Sequence, residues 1–412
     1  MREQDHSEKK RSKHRIMKRL IIKDLGPLKE AKVNLGRFNV IIGKQSSGKS
    51  TVLRTACYCA WVEKYIELAQ SADNFYDNPS AFIDGLVSYH KFSGYIKPST
   101  YIEYETDYMW FAYDNTKKFF DFAWKAKRMD YKRPKISYIP SERNIVSLIP
   151  DWKTQVSSYD CLLDYMKDWD IARRYVRKTN DILNLGIRYQ FNEFAKEEDI
   201  ILLPSGQPLA LNNSSSGVQS VIPLFVSVDY ITRGIYEVEV DKKRTERERE
   251  KYMNLLVNLY RLSKFADTKQ LPIDLKEPIT ITVEKEDFLF YNKQAAEAFN
   301  DLVKRYSFTQ RTDIYLEEPE NNLFPPTQCQ LMDLLVDLTK RRKKTVSIFA
   351  TTHSPYVLTH LMQEQVPGLR LFFTHPINDE EGYVIQQATD DEVQEIYDNG
   401  LDMFFNYEAF VK

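Results

Sequence analysis

The segment Gly43-Lys44-Gln45-Ser46-Ser47-Gly48-Lys49-Ser50 constrains this chain more than any other stretch. It fits the pattern G-x-x-x-x-G-K-[ST], follows the apolar run Phe38–Ile42, and leads through Thr51 into VLRTACYCAWVEKYIEL, a helix-like stretch without proline or glycine. A concave row of backbone N–H groups at a helix N-terminus grips phosphate, and only glycine lets the chain approach it that closely. In such a loop Lys49 reaches the β- and γ-phosphates, and the Ser50 hydroxyl ligates Mg²⁺. Glycine is scarce here, 13 residues in 412, so a spaced pair between a strand and a helix is not an accidental Gly-rich turn.

Two later stretches suit the same chemistry. TDIYLEEPENN reads as a strand that ends in two carboxylates, after which Pro319 forces the chain out of the strand. Glu317 is the candidate for the Mg²⁺ shell and Glu318 for the general base that polarises water toward a γ-phosphate. Taken alone the stretch also reads as an acidic surface turn; behind a phosphate loop the chemical reading is preferred. SIFATTHSP is a second apolar strand ending at His353, one helix and one strand after Glu317, so a parallel sheet brings both to one edge. A histidine there senses the γ-phosphate, although a lone strand-end histidine is more often a structural hydrogen-bonder. NNSSSGVQ, residues 212–219, precedes the apolar SVIPLFV and reads either as a second anion-binding helix N-terminus or as a flexible Ser/Asn linker.

The rest of the chain supplies a scaffold. LIIKDLG, EAKVNLG and RFNVIIG read as three short strands between glycine turns, and residues 98–123, rich in Tyr and Phe, as further strands. PKISYIPSERN ends another strand. Residues 159–197 and 243–265 read as mostly helical. In TQCQLMDLLVDLTKR, Leu331, Leu334, Leu335 and Leu338 share one helical face, which is expected to pack on a sheet. The KRRKK run after that helix either touches nucleic acid or is a cation cluster favoured by the helix dipole. Residues 1–19 read as a solvated, disordered basic arm or as a phosphate-binding tail.

Composition removes several classes. No apolar run approaches the roughly 18–20 residues of a membrane-spanning helix, and no signal-peptide pattern opens the chain. A net charge of −1 argues against a globally basic nucleic-acid coat. Cys57, Cys59, Cys161 and Cys329 form no CxxC pair and no zinc-like spacing with the histidines, and read as reduced thiols of a cytoplasmic protein.

These four stretches, in this order, resemble the ATPase heads of the ABC superfamily, and more narrowly the bacterial AAA-15/AAA-21 group related to SMC-type heads and to the overcoming-lysogenization-defect (OLD) ATPases. The resemblance implies that GKQSSGKS is the Walker A loop, with Gly43, Gly48, Lys49 and Ser50. YLEEPENNLFP is then Walker B with the D-loop region, including Glu317, Glu318, Glu320 and Asn321, and ATTHSP is the switch loop with His353. SSSGVQ looks like a degenerate signature, in which Ser215 and Gly217 contact the γ-phosphate held by the other protomer. SYIPSERN lies where such heads carry a loop linking the lobes but lacks the usual Gln, so Arg143 receives no assigned role. Glu317 stands where most relatives have Asp, the signature lies far before Walker B, and the stretch after His353 is too short for the Toprim nuclease domain of OLD proteins.

The expected fold is therefore an α/β P-loop head spanning 20–412. It combines a mainly parallel sheet and flanking helices with an antiparallel β lobe and helical insertions near 58–97, 151–200 and 236–275. The expected activity is Mg²⁺-dependent ATP hydrolysis by an ATP-closed homodimer or higher homo-oligomer. The resemblance further implies a role in nucleic-acid-linked or antiphage defence, with DNA or RNA and a separately encoded nuclease or toxin as partners. The alternative is a nucleotide-gated protein-interaction switch that hydrolyses slowly and binds no nucleic acid.

Overall fold

The computed structural model describes residues 18–149, 160–194, 198–238, 245–263, 274–341, 344–364, 366, 368–377 and 382–399. The basic arm up to residue 17 and positions 342–343 of the KRRKK run lie outside the described residues.

The three runs before the phosphate loop are β1 (Lys18–Leu25), β2 (Leu28–Leu35) and β3 (Phe38–Ile42). The aromatic-rich stretch forms β4 (Ile96–Thr106), β5 (Met109–Asp114) and β6 (Phe119–Trp124), and β7 (Pro134–Ile139) follows. Two small sheets come next in the chain: β8 (Arg188–Asn192), β9 (Glu198–Leu202) and β10 (Pro208–Ala210), then the hairpin of β11 (Ile279–Val283) and β12 (Glu286–Phe290). The acidic strand is β13 (Arg311–Glu317) and the histidine strand β14 (Thr345–Thr352), followed by β15 (Leu369–Pro376) and β16 (Tyr383–Gln387).

Eleven of these strands make one sheet in the order β6-β5-β4-β1-β2-β16-β15-β3-β14-β13-β7. From β7 to β15 all neighbours are parallel; from β2 to β6 all are antiparallel. β16 joins the two halves, antiparallel to β15 and parallel to β2. The antiparallel part is thus continuous with the parallel one, and the sheet is mixed.

Covering layers explain the sequence pattern of the central strands. A strand inside a parallel sheet is covered on both faces, and β3 and β13 are accordingly buried at every position. Side chains alternate: Phe38, Val40 and Ile42 enter one core, and Ile41 enters the other. The helix Lys49–Ala69 lies on the Ile41 side through Val52, Leu53 and Ala56. The helices Cys161–Val176, Ser216–Thr232, Pro325–Lys340 and Pro355–Gln363 cover the other side, and Leu331, Leu335 and Leu338 are buried there as the spacing requires. A third core lies beneath the helices Glu246–Arg261 and Lys293–Ser307 and the β11–β12 hairpin.

The insertions are therefore only partly helical. The described residues 160–194 hold one helix, after which Leu183, Asn184 and Gly186 take positive φ angles of 47°, 53° and 70° and lead into β8. Cys57 and Cys59 are buried in the helix that follows the phosphate loop, and all four cysteines are free thiols. No helix among the described residues is long and apolar enough to cross a membrane.

Polar groups are buried at the end of the sheet away from the phosphate loop. Lys18 and Arg311 meet Asp313 at 2.7 and 2.6 Å, and Arg311 also reaches Glu63 at 3.2 Å. This pairing ties β1, β13 and the helix Lys49–Ala69 together. Nearby, Glu67 accepts the Tyr306 hydroxyl at 2.5 Å, while its second oxygen is buried without a partner. Burial raises the Glu67 carboxyl to about 7, opposed by the Tyr306 bond. A carboxyl raised in the folded state contributes its stability below the ordinary carboxylate value and loses it as pH rises through about 7. Thermal unfolding from about pH 5 to about pH 8 should show that loss as roughly 3 kcal/mol, and Glu67→Gln should flatten this part of the profile. An unchanged slope in the variant would remove Glu67 as its cause.

Candidate nucleotide-binding site

The phosphate loop leaves β3 at Ile42 and closes on the helix Lys49–Ala69. Backbone proximity accounts for both glycines. A Cβ on Gly43 would meet the Thr374 hydroxyl oxygen of β15 at 1.7 Å, and one on Gly48, at φ 91°, would meet Leu28 Cδ2 at 2.4 Å. Ser46 also has a positive φ, 61°. Lys44, Gln45 and Ser46 are exposed at the mouth; Ser47, Gly48, Lys49 and Thr51 are buried, and Ser50 is half-buried. The Ser47 hydroxyl donates to the Lys44 carbonyl at 2.7 Å. Lys49 Nζ folds back into the loop and donates to the carbonyls of Gly43 and Lys44 at 2.8 and 2.5 Å.

This arrangement fits an anion. The helix has 21 residues, and Gly48 at its N-cap provides no side-chain acceptor for the first-turn amides. Those amides have no partner within the helix, and the helix dipole adds positive potential at the same point. Burial lowers the Lys49 ammonium to about 8, with Glu318 and Glu320 pulling it back up.

Sheet register brings the acidic turn to the loop. Thr352 of β14 pairs with Ile42 of β3, and Thr351 pairs with Glu317 of β13, so one strand separates the phosphate loop from the carboxylates. Neighbouring strands lie about 4.8 Å apart, which sets the two elements roughly 10 Å apart across the sheet. Glu318 turns out of the strand with φ 42°, and its N–H donates to the Thr351 carbonyl at 3.0 Å. Its carboxylate lies 3.5 Å from His353 Nε2, and that contact holds the Glu318 carboxyl below its usual range. Glu318 is thus ionised at neutral pH, as a proton acceptor must be.

Glu320 organises the histidine loop from beneath. One carboxylate oxygen accepts the Thr352 hydroxyl and the His353 N–H, each at 2.7 Å, and the other is buried without a partner. Burial pushes this carboxyl up. Ser354 caps the next helix by accepting the Val357 N–H at 3.3 Å and donates to Gln328 Oε1 at 2.5 Å.

Two arginines complete the site, and spacing pointed to neither. Arg54 makes a two-pronged pair with Glu317 at 2.9 and 3.0 Å and also donates to the Tyr138 hydroxyl at 3.0 Å. Ser50 and Arg54 are one helical turn apart and so share a helix face, but that period names no partner for Arg54. The hydroxyl of Ser50 is of a metal-ligand type; both oxygens of the Glu317 carboxylate are bonded to Arg54. Arg143 is fully buried, and its guanidinium donates to the carbonyls of Pro140, Glu317, Glu318, Pro319 and Asn321. It is a clamp on the turn that presents Glu318, and nothing in the local sequence announced it.

The Ser/Asn-rich segment begins a helix rather than serving as a linker. Ser215 caps Ser216–Thr232 by accepting the Val218 N–H, and Ser215 and Ser216 are exposed. Ser220 donates to the Asn321 carbonyl at 3.2 Å, and a Cβ on Gly217 would stand 2.9 Å from the Asn322 oxygen. Within one chain, then, this helix start abuts the turn after Glu318.

No family model matches the sequence, and no curated protein matches it. Among solved structures the chain is similar to the SMC head domain from Thermotoga maritima, with a TM-score of 0.41 and 11% identity over 90% of this chain and 99% of that one. A second is the Smc head domain with an extended coiled coil bound to the C-terminal domain of ScpA, from Pyrococcus furiosus: TM-score 0.32, 10% identity, 93% and 98% of the two chains. The ADP conformation of an ATP-binding cassette of an ABC transporter gives 0.34 and 9%, over 95% and 99%. At such identities the likeness is one of fold alone.

Proposed function

We propose that this chain binds ATP with Mg²⁺ and hydrolyses it. The observation that carries the reading is the meeting of Lys49, Glu318 and His353 at one sheet edge, produced by the register of β3, β14 and β13. The loop amides and Lys49 hold the β- and γ-phosphates. Glu318 takes the proton of the attacking water, and His353, beside it, reads the γ-phosphate. Mg²⁺, when bound, neutralises phosphate oxygens; Ser50 supplies its protein hydroxyl, and Glu317 joins its shell when Arg54 releases an oxygen.

In the same reading two copies close on two ATP molecules, with the exposed Ser215 and the helix start at Gly217 facing the partner's γ-phosphate. Wild-type protein should bind ATP, release phosphate and shift to a dimer on size exclusion. Ser215→Arg should keep ATP binding and lose the dimer, whereas Lys49→Ala should lose both. Equal ATP affinity in wild type and Lys49→Ala would overturn the nucleotide site itself.

The process served is proposed to be a nucleic-acid-linked or antiphage defence system with a separately encoded nuclease or toxin. The basic arm, residues 1–19, supports this reading. Binding to DNA or RNA should fall steeply with salt and weaken when residues 1–17 are deleted, a cut that leaves Lys18 and β1 in place; salt-insensitive or absent binding counts against it. One observation favours the second reading, a slow nucleotide-gated switch for a protein partner: the carboxylate assigned to the metal shell is already paired with Arg54. Slow turnover with ATP-dependent capture of a partner in the absence of nucleic acid would select that reading.

A further inference from the structure

The two helices that leave the acidic turn and the histidine loop pack side by side, and they carry a second group of ligand-type side chains away from the phosphate loop. Asp333 lies on Pro325–Lys340; His360 lies on Pro355–Gln363, and Glu364 is the C-cap of that helix. His360 Nε2 stands 2.7 Å from Asp333 Oδ1. One ligand atom from each of Asp333, His360 and Glu364 lies within 4.8 Å of the other two.

We propose that these three side chains bind a zinc-class dication. Two donors about 2.0–2.2 Å from a common ion stand at most roughly 4 Å apart, so the observed spread closes with small side-chain rotations. The backbone already provides the alignment. His360 and Glu364 are one helical turn apart and so share a face, and Asp333 meets that face from the neighbouring helix. Asp333 and Glu364 are exposed, so an ion has open access and each carboxylate has room to turn; His360 is more enclosed.

Donor chemistry selects the metal. An imidazole nitrogen with two carboxylate oxygens suits zinc, whereas Mg²⁺ and Ca²⁺ seek all-oxygen shells with more ligands. Three protein donors leave a further position for water. The ion neutralises two carboxylates held close together.

The location gives such an ion a consequence. Nearer the phosphate loop the same helices are joined by the Ser354–Gln328 hydrogen bond. A metal at Asp333, His360 and Glu364 adds a second tie farther along, fixing the helix behind Glu318 to the helix behind His353.

The test is metal binding by the full chain, independent of any nucleotide. Chelator-stripped protein titrated with zinc chloride in a calorimeter, in excess Mg²⁺, is expected to take up one equivalent. Cobalt(II) in its place should give the visible absorption of a low-coordinate site, and zinc should raise the unfolding temperature reversibly with EDTA. His360→Ala should abolish uptake, and Asp333→Asn should weaken it by about 10-fold or more. Should His360→Ala fail to fold by circular dichroism, Asp333→Asn decides alone. Absence of zinc uptake by the wild type, or uptake that Asp333→Asn leaves unchanged, overturns the proposal and leaves His360 and Asp333 as a surface hydrogen-bonded pair.

Discussion

Glu318→Gln is expected to lower ATP turnover by about 10²–10⁴-fold while preserving ATP binding, since general-base catalysis contributes on that scale. The amide keeps the size of the side chain and its reach to His353 Nε2, now 3.5 Å from a carboxylate oxygen, but cannot take a proton. Loop amides and Lys49 are untouched, so affinity persists. A protein that binds and cannot turn over should also accumulate as the ATP-bound dimer. Phosphate release under single-turnover conditions and size exclusion with ATP measure the two effects separately. Wild-type turnover in Glu318→Gln would remove Glu318 as the base, without touching the case for binding at Lys49.

The second large effect is expected at Arg143. Its guanidinium donates at 3.1, 3.0 and 3.0 Å to the carbonyls of Glu317, Glu318 and Pro319. Arg143→Met is close in volume and removes these donors; the Glu318 carbonyl keeps the Asn321 N–H at 2.9 Å, so the loss falls mainly on the Glu317 and Pro319 carbonyls, at about 1–3 kcal/mol for each that water cannot reach. Roughly 3–5 kcal/mol in all is a large part of the 5–15 kcal/mol of a typical domain. Urea denaturation should show a lowered midpoint with an unchanged slope, and the folded fraction should turn over ATP slowly because the Glu318 turn has lost its clamp. Arg143→Lys is expected to recover little, because an ammonium cannot span several carbonyls as a planar fork does. A midpoint within error of the wild type would show that water or neighbouring groups satisfy those carbonyls.

Legibility followed the range of the interactions. β3, the loop and the helix after it could be read because the glycine spacing and the apolar run are local. The adjacency of Glu318 and His353 could be read because strand–helix–strand order implies parallel neighbours, and β13 and β14 are parallel. The pairing of Arg54 with Glu317 and the grip of Arg143 on the Glu318 turn could not, since those partners lie 263 and 174 or more residues away and chain spacing carries no trace of such pairs. The β11–β12 hairpin escaped notice although Ile279, Ile281 and Val283 alternate with Thr280 and Thr282; the run is only five residues long, and its partner EDFLF carries no matching pattern. β8 was absorbed into a helical reading of 159–197, although Gly186, at φ 70°, marked the break. The antiparallel strands were legible, but their continuity with the parallel half was not, because β16, far along the chain, pairs with β2 and joins the two.

That closure has a mechanical consequence. With β16 stitched to β2 on one side and β15 on the other, the eleven strands behave as a single stiff plank, and neither half can swivel against the other without breaking a ladder of main-chain bonds. Any displacement started at the phosphates therefore has to leave through what rides on the plank. The outlets are the helices Ser216–Thr232, Pro325–Lys340 and Pro355–Gln363, whose near ends abut the Glu318 turn or the His353 loop.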